Sequence, residues 1–367
     1  MVWLEGFFAL YYNVQKTLFV VQLFKENFMK TIFVVDDSDT NLSMAETALE
    51  NQYRVMTMPS ADRMFTLLEK VTPDLILLDI EMPGVDGFET LRRLKSESLW
   101  SNIPVMFLTG RTDSVVEVHG FEMGAVDFVT KPFSTPVLLN RIKTHLDIDE
   151  IIRERTSQIN RLQNSIVSVL ANIVESRDKG TGGHIERTSA YIKILINEMR
   201  KRNVYLDEIS GWDTDKIISS ARMHDLGKIS ITDIIVNKPG KLTDDEYEVM
   251  KTHAQEGERI IDKIIAQTGE GEFLRNARLF AGSHHERWDG KGYPNGLKGE
   301  EIPLQGRIMA IVDVYDALVS ERPYKKAFTD EEAVQIIMEN AGTHYDPKVA
   351  DVFFNARDLF KAVRAQI

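Results

Sequence analysis

Histidines and aspartates stand in pairs in the second half of this chain, at positions where they could hold metal ions. His224 is followed by Asp225, and His284 by His285, each beside an apolar, helix-like stretch. Asp313 lies inside another largely apolar stretch. An unpaired carboxylate buried there would cost on the order of several kcal/mol, so it should be paired or metal-bound. The full candidate set is His184, His224, Asp225, His253, His284, His285 and Asp313.

Five imidazoles and two carboxylates are more ligands than one tetrahedral zinc ion can use. They suit two six-coordinate cations about 3.5–4 Å apart, which support in-line attack of a hydroxide on phosphorus. Mixed nitrogen and oxygen ligation favours iron or manganese, with zinc or nickel as alternatives. The apolar run before His224 predicts a helix from Ile217 through Lys228. On that helix His224 and Lys228 share one face, and Lys228 would neutralise a phosphoryl oxygen.

A second group of polar residues ends the short apolar runs of the first half. Asp36 and Asp37 close the first run, Asp79 the third and Thr109 the fourth, while Lys131 follows the fifth. Three converging carboxylates repel each other unless a divalent cation neutralises them, and oxygen ligands alone indicate Mg²⁺. One carboxylate could then attack a phosphorus, with Thr109 bonded to the phosphoryl group and Lys131 offsetting its charge.

The elements that must position these acids alternate in type along residues 31–145. Short apolar runs separated by amphipathic stretches predict an α/β domain with a doubly wound, five-stranded parallel sheet. In the stretch Asn41–Glu50, for example, Leu42, Ala45 and Leu49 share a helical face. The carboxyl ends of such strands form the reactive edge of the sheet. The predicted strands are Ile32–Val35, Arg54–Met58, Leu75–Leu78, Val105–Leu108 and Asp127–Val129.

A long helix is predicted after Asp147, because neither proline nor glycine occurs before Gly180. An apolar seam with seven-residue spacing, interrupted by Arg155, favours a parallel two-stranded coiled coil and hence a homodimer. Packing of this helix within one chain is the alternative. The seam consists of Ile148, Ile152, Ile159, Leu162, Ile166, Val169 and Ile173.

A glycine-rich run follows His285 and contains the string Gly292-Tyr293-Pro294. The glycines at 290, 292, 296 and 299 allow positive φ angles and close backbone approach. An ordered loop over a site requires both properties.

Composition narrows the function classes. A net charge of −12 argues against binding to long nucleic acids such as DNA. The chain has no cysteine, which excludes thiolate ligands and suits the reducing cytoplasm. No uninterrupted apolar stretch reaches membrane-spanning length.

Residues 1–28 form an aromatic-rich extension to which we assign no function. Met29 is the favoured start, with a membrane-surface or partner-binding helix and a packing extension as alternatives.

Residues 30–145 resemble the receiver domain of bacterial response regulators. The resemblance implies that Asp79 accepts a phosphoryl group from a cognate sensor histidine kinase. It also implies that Asp36, Asp37 and the main-chain carbonyl of Glu81 hold Mg²⁺, and that the rotamer of Phe128 reports phosphorylation. The expected location is the cytoplasm.

Residues from about 165 to 365 resemble the HD-GYP family, an all-α group of metal-dependent phosphohydrolases named for its His-Asp and Gly-Tyr-Pro motifs. The resemblance implies hydrolysis of cyclic di-GMP to pGpG and on to GMP, with the seven candidates as ligands and Asp225 as the bridge. Lys228, Arg322 and Lys325 match substrate-contacting positions, and a diguanylate cyclase is a further expected partner. Gly180 stands where some members carry a third-metal glutamate, so we expect two metals.

The chain is thus read as an extension (1–28), a receiver domain (29–146), a helical linker (147–176) and an HD-GYP domain (170–367). The leading hypothesis is a cyclic di-GMP phosphodiesterase controlled by phosphorylation. A hydrolase of another cyclic dinucleotide, such as cyclic GMP-AMP, remains open. So does a catalytically silent module that senses a nucleotide or binds a partner.

Overall fold

The computed structural model describes residues 29–97, 99–110, 114–177, 183–321 and 326–366. They form two compact units, divided between Gln158 and Ile159. The expectations for residues 1–28, Gly180, Arg322 and Lys325 fall outside the described residues.

The first unit contains the predicted parallel sheet. The strand order is β2-β1-β3-β4-β5, so the chain reverses its direction of winding between β1 and β3. In such sheets the binding crevice lies at the carboxyl ends of the strands beside that switch point. The strands are β1 (Thr31–Val35), β2 (Arg54–Met58), β3 (Leu75–Asp79), β4 (Val105–Thr109) and β5 (Asp127–Thr130).

Both faces of this sheet are covered, because each strand buries alternate residues on opposite sides. In β1, Phe33 and Val35 join one apolar cluster, whereas Ile32 and Val34 join the other. On the helix that follows β1, the expected face of Leu42, Ala45 and Leu49 is buried. The covering helices are α1 (Asp39–Leu49), α2 (Ala61–Leu68), α3 (Gly87–Ser96), α4 (Ser114–Glu122) and the first turns of α5 (Thr135–Arg177).

Helix α5 is longer than expected, because it begins at Thr135 rather than after Asp147. The division between the two units falls within it. All seven residues of the predicted seam are 47–63% exposed. A different face of the helix, formed by Val167, Ala171 and Val174, is buried in the second unit. Packing within the chain therefore leaves the predicted seam uncovered.

The described part of the second unit is helical, as predicted, and encloses its own apolar core around Tyr191, Tyr315 and Phe360. Two 3-10 segments, Leu226–Ser230 and Gly299–Glu301, interrupt the α-helices. The α-helices are α6 (His184–Lys201), α7 (Leu206–Ile209), α8 (Thr214–Ala221), α9 (Asp233–Val236), α10 (Asp244–Thr268), α11 (Glu272–Ser283), α12 (Leu304–Val319), α13 (Asp330–Glu339) and α14 (Pro347–Arg364).

The predicted helix from Ile217 through Lys228 was wrong in one respect. Helix α8 ends at Ala221, so His224 lies in a turn and Lys228 lies on the 3-10 segment. The 3-10 segment that follows packs closely on α10. A Cβ atom at Gly227 would lie 1.9 Å from the carbonyl oxygen of His253. His224 and Lys228 are therefore brought together by a turn, and not by a shared α-helical face.

Candidate metal centres

All seven predicted ligands of the second unit converge, although they come from five separate segments. His184, His224 and Asp225 offer ligand atoms within 4.8 Å of one another, and His253, His284 and His285 form a second such group. The carboxylate of Asp225 joins the two groups. Its Oδ1 lies 3.5 Å from Nε2 of His253, and its Oδ2 lies 3.4 Å from Nε2 of His224.

Asp313 on α12 completes the set, with its Oδ1 3.6 Å from Nε2 of His184. One turn further along, Asp316 is buried and accepts a hydrogen bond from Arg187. The Oδ2 atom of Asp316 also lies 2.8 Å from Nδ1 of His184. Burial would raise the pKa of Asp316, but the hydrogen bonds to His184 and Arg187 hold it below its usual value. Asp316 therefore stays ionised and orients the His184 ring.

The rings of three further histidines are fixed by the chain immediately before them. Nδ1 of each ring lies at hydrogen-bond distance from a carbonyl oxygen three or four residues earlier. Because a carbonyl oxygen can only accept, Nδ1 carries the proton and Nε2 keeps a free lone pair. The bonds join His224 to Ala221 (2.9 Å), His253 to Met250 (2.6 Å), and His284 to Phe280 and Ala281 (3.0 Å each).

Two of these lone pairs face each other, with no proton between them. Nε2 of His253 lies 3.2 Å from Nε2 of His284, a distance that is repulsive for two acceptors. Nε2 of His224 is buried and has no hydrogen-bond partner among the described residues. A buried polar atom without a partner is costly. Cations between the two groups would satisfy all three nitrogens, so the donor set fits metal ions.

Electrostatics keep several of the proposed ligands in their binding forms. His184 differs: burial would lower its pKa, but the hydrogen bond to Asp316 and the nearby aspartate charges raise it. Burial lowers the pKa of His253, and it lowers the pKa of His285 to about 3, so both imidazoles are neutral at pH 7. Burial alone would raise the pKa of Asp225, but Lys228 and the neighbouring histidines hold it well below its usual value. Neutral imidazoles around an ionised carboxylate are the forms that bind a divalent cation.

The ligands open onto a cavity of about 460 Å³, large enough for a small organic phosphate. Lys228 lies in its wall, with Nζ 2.7 Å from Oδ2 of Asp225. The Tyr293 ring also lines the cavity, 4.7 Å from the His285 ring and tilted by 30° to it. The cavity therefore combines most of the proposed ligands, the Lys228 ammonium and the Tyr293 ring.

The glycine-rich loop is held by a residue that sequence reasoning missed. The carboxylate of Glu286, only 2% exposed, accepts hydrogen bonds from the backbone N–H groups of Asn295 (2.7 Å) and Leu297 (3.0 Å). The predicted glycine roles are confirmed. A Cβ atom at Gly292 would lie 2.4 Å from the backbone nitrogen of Arg287, and φ is +79° at Gly290. An acid directly after His284-His285 was the available signal for Glu286.

The first unit gathers its predicted acids at the switch point. Asp36, Asp37 and Asp79 offer oxygens within 4.8 Å of one another. Lys131 bridges two of them, with Nζ 2.6 Å from Asp36 and 2.8 Å from Asp79. The pKa of Asp79 is raised overall, chiefly by burial and also by the Asp36 charge. Lys131 opposes this rise. Thr109 is buried at the end of β4.

Two further receiver residues were predicted, Phe128 and Glu81. Phe128 on β5 is buried, with its ring 5.3 Å from that of Phe107 and 4.9 Å from that of Phe121. Glu81 lies two residues after the end of β3, in the segment that leads to α3. The aromatic ring is thus in an inward position, as a two-position switch requires in one of its states.

Two families match the two halves of the chain. Residues 32–143 match the response regulator receiver domain, and residues 168–349 match the HD domain. Among the described residues, no helix combines the length and the apolarity needed to cross a membrane.

Two relatives are similar over most of their length, and a third is similar over about a third of its length. A probable cyclic di-GMP phosphodiesterase of Vibrio cholerae is 40% identical over 338 residues, covering 88% of this chain and 77% of the relative. The cyclic di-GMP phosphodiesterase response regulator RpfG of Xanthomonas campestris is 32% identical, covering 91% and 90%. A 3'3'-cGAMP-specific phosphodiesterase of Vibrio cholerae is 37% identical, covering 55% of this chain and 36% of the relative.

Proposed function

This chain belongs to the response regulators that join a receiver domain to an HD-type phosphodiesterase domain, and from that premise we propose that it hydrolyses cyclic di-GMP under the control of phosphorylation at Asp79. The observation that carries the proposal is the cage of unprotonated imidazole nitrogens around Asp225, which opens onto a cavity containing Lys228. The two longest-matching relatives reported above carry the same activity in their names.

The seven ligands are proposed to hold two divalent metals, with Asp225 between them. Iron or manganese is favoured by the mixed nitrogen and oxygen donors, with zinc or nickel as alternatives. Metals bound there would supply a water-derived nucleophile and stabilise charge on the phosphoryl oxygens. Because Gly180 precedes His184 by four residues, we expect no third metal from that position.

The chain's own residues orient the substrate. Lys228 places a positive charge next to Asp225, where it can neutralise a phosphoryl oxygen that approaches the cage. Glu286 fixes the loop that presents Tyr293 to the cavity. We assign further substrate contacts to Arg322 and Lys325 on the resemblance alone.

In the receiver, Asp79 is proposed to accept the phosphoryl group from a sensor histidine kinase. A carboxylate oxygen of Asp79 bonds to phosphorus, and the bond from phosphorus to the kinase histidine nitrogen breaks. Asp36, Asp37 and the Glu81 carbonyl would hold Mg²⁺. Lys131 already contacts Asp79 and can pair with the added charge, and Thr109 can donate to a phosphoryl oxygen. Phe128 would then change its rotamer. Such kinases phosphorylate their receivers in the cytoplasm, where we place this regulator.

The uncovered seam of α5 is proposed to pair with the same seam of a second copy. Ile152, Ile159, Ile166 and Ile173 are 50–63% exposed and recur every seven residues, which suits a parallel coiled coil. We keep the linker (147–176) and the domains (29–146 and 170–367) as proposed functional divisions. A diguanylate cyclase remains a proposed partner.

Product analysis tests the substrate assignment. Enzyme purified without air and supplied with Mn²⁺ or Fe²⁺ should convert cyclic di-GMP to pGpG. The cGAMP-specific relative makes cyclic GMP-AMP the competing substrate. Faster turnover of cyclic GMP-AMP would move the assignment to that nucleotide, and turnover of neither would leave a silent module. Elemental analysis should give about two metals per chain; one or none would overturn the binuclear centre.

A further inference from the structure

The last turn of α5 is tied to both sides of the metal centre. A carboxylate oxygen of Glu175 accepts a hydrogen bond from the backbone N–H of His184, at 2.9 Å, across the gap between α5 and α6. Two residues later, Arg177 reaches across the second unit to the segment that follows Asp225. The end of one helix therefore contacts the backbone beside two proposed metal ligands.

Arg177 makes an unusually complete set of hydrogen bonds to that segment. One terminal nitrogen donates to the carbonyl oxygens of Lys228 and Ile229, at 3.2 Å each. The other donates to the carbonyl oxygen of Ile231, at 2.9 Å. Nε and this second nitrogen also donate to Oδ1 of Asp233, at 2.9 and 2.7 Å. A single guanidinium thus spans the 3-10 segment and the start of α9.

The residue type suits this position. The last carbonyls of a helical segment have no partner within it, and a short 3-10 segment is weakly held by its own bonds. A planar guanidinium offers five N–H donors in a fixed fork, whereas a lysine ammonium offers a single point charge. The Asp233 side chain is 71% exposed, so its ion pair with Arg177 contributes little to stability. Its effect is to aim the guanidinium at the carbonyls.

We propose that Arg177 is a positioning residue for the proposed phosphodiesterase reaction, which holds the main chain of Lys228 so that its ammonium stays beside Asp225. The inference rests on the proposed function of this site. It assigns Arg177 no contact with substrate or metal. Because Arg177 ends the helix that begins in the receiver unit, a shift of this last turn would move Lys228 directly.

A double-mutant cycle separates this role from general stabilisation. We expect Arg177→Met to lower kcat about 10-fold through misplacement of Lys228, and Lys228→Met to lower it about 100-fold. If Arg177 acts through Lys228, the double variant should lose about 100-fold and not about 1,000-fold, because coupled residues are not additive. KM and metal content should change little in Arg177→Met.

The matched control is Arg364→Met. Arg364 is half-buried and donates to Asp330 at 3.1 Å, so it also ties two segments of this unit, but it does not line the cavity. Arg364→Met alone should leave kcat at the wild-type value. Added to Lys228→Met, it should leave kcat at the value of the Lys228→Met variant. Multiplicative losses for Arg177 and Lys228, or full activity of Arg177→Met, would overturn the proposal.

A second variant and a second substrate complete the experiment. If Arg177→Met does not fold, Arg177→Lys enters the same cycle, since it keeps the charge and loses the fork. The cycle is read both with cyclic di-GMP and with bis(p-nitrophenyl) phosphate, a simple phosphodiester. A wild type that cleaves only the simple ester would disprove the proposed substrate, while the coupling of Arg177 to Lys228 would still be measured.

Discussion

The receiver centre and the HD centre both pair a lysine with an aspartate, but only the HD centre brings two unprotonated nitrogens face to face. In the receiver, Lys131 lies between Asp36 and Asp79 and already neutralises them in part. In the HD centre, the nitrogens of His253 and His284 face each other without a proton between them. A balanced cluster suits a site that gains and loses a phosphoryl group. A cage of unprotonated nitrogens suits a bound metal ion.

The origin of the ligands differs as well. The receiver acids follow the ends of adjacent strands, so the sheet alone brings them together. The HD ligands come from α6, the turn after α8, α10, the end of α11 and α12. Local Nδ1 bonds to carbonyls then orient three of the rings. The strand order places the receiver acids together, whereas side-chain hydrogen bonds orient the imidazole rings of the HD centre.

The strongest test of this contrast removes ligands from the cage of the HD centre. Replacing both His224 and Asp225 by Ala should lower turnover more than about 1,000-fold, since ligands of one centre act as a unit. Circular dichroism should show that the fold persists. Undiminished hydrolysis by this variant would refute the metal-site assignment.

The matching change in the balanced cluster should leave catalysis and remove its control. In Asp79→Asn the phosphoacceptor is lost, so acetyl phosphate should no longer change the rate of cyclic di-GMP hydrolysis. The basal rate should stay within about threefold of wild type, because the variant leaves the HD centre intact. A variant that still responds to acetyl phosphate would show that the switch lies elsewhere.

A smaller effect is expected at the loop beside the cage. Glu286→Gln replaces a buried charged acceptor of two backbone N–H groups and should lower the free energy of unfolding by about 1–3 kcal/mol. Urea denaturation measures this loss. Glu246→Gln is the control, because Glu246 accepts from the Thr243 N–H in a more exposed setting and should cost less. Equal losses in both variants would show that Glu286 does not clamp the loop.

The smallest effect concerns a histidine outside both centres. Burial, with help from the Arg287 charge, lowers the pKa of His344 to about 4. In the unfolded chain histidine titrates near 6.5, so between about pH 6.5 and 4 the unfolded state binds more protons. Stability from this group is present above about pH 6.5 and is lost as the pH falls towards 4.

Urea titrations at pH 7 and pH 4.5 should therefore show a smaller acid loss in His344→Gln than in wild type. The difference should stay below about 2 kcal/mol, because His344 is partly exposed and solvent screens it. An identical pH dependence in the two proteins would mean that His344 is not the titrating group.

Much of the fold could be predicted because the spacing of apolar residues that marks a strand or a helix lies within a few adjacent positions of the sequence. The strand Arg54–Met58 was placed correctly to the residue, and the other strands to within one residue at each end. The parallel order followed from the alternation of elements. The position of His224 could not be predicted in the same way. The helix before it ends at Ala221, and Gly227 in the following 3-10 segment lies against the backbone of α10, a contact between distant segments.

The candidate site likewise has a part that could be predicted from the sequence and a part that could not. The convergence of the seven proposed ligands was predictable because metal chemistry restricts ligand types to histidine and acid. The residues that hold these side chains and Lys228 in place could not be predicted. Asp316 bonds to Arg187 and to His184, 129 and 132 residues away, and Arg177 reaches Lys228 51 residues further on. Such pairs have no spacing rule, so only the folded chain reveals them.

The carbonyl bonds of the three imidazoles are made by the polypeptide itself and require no ion. The three rings should therefore keep the same orientation with and without metal, and metal loading should be an exchange process that involves no refolding. Under that condition the mixture of transition metals in the growth medium decides how much of the protein is catalytically competent at any moment. Nutrient supply would then limit signal breakdown independently of the sensor.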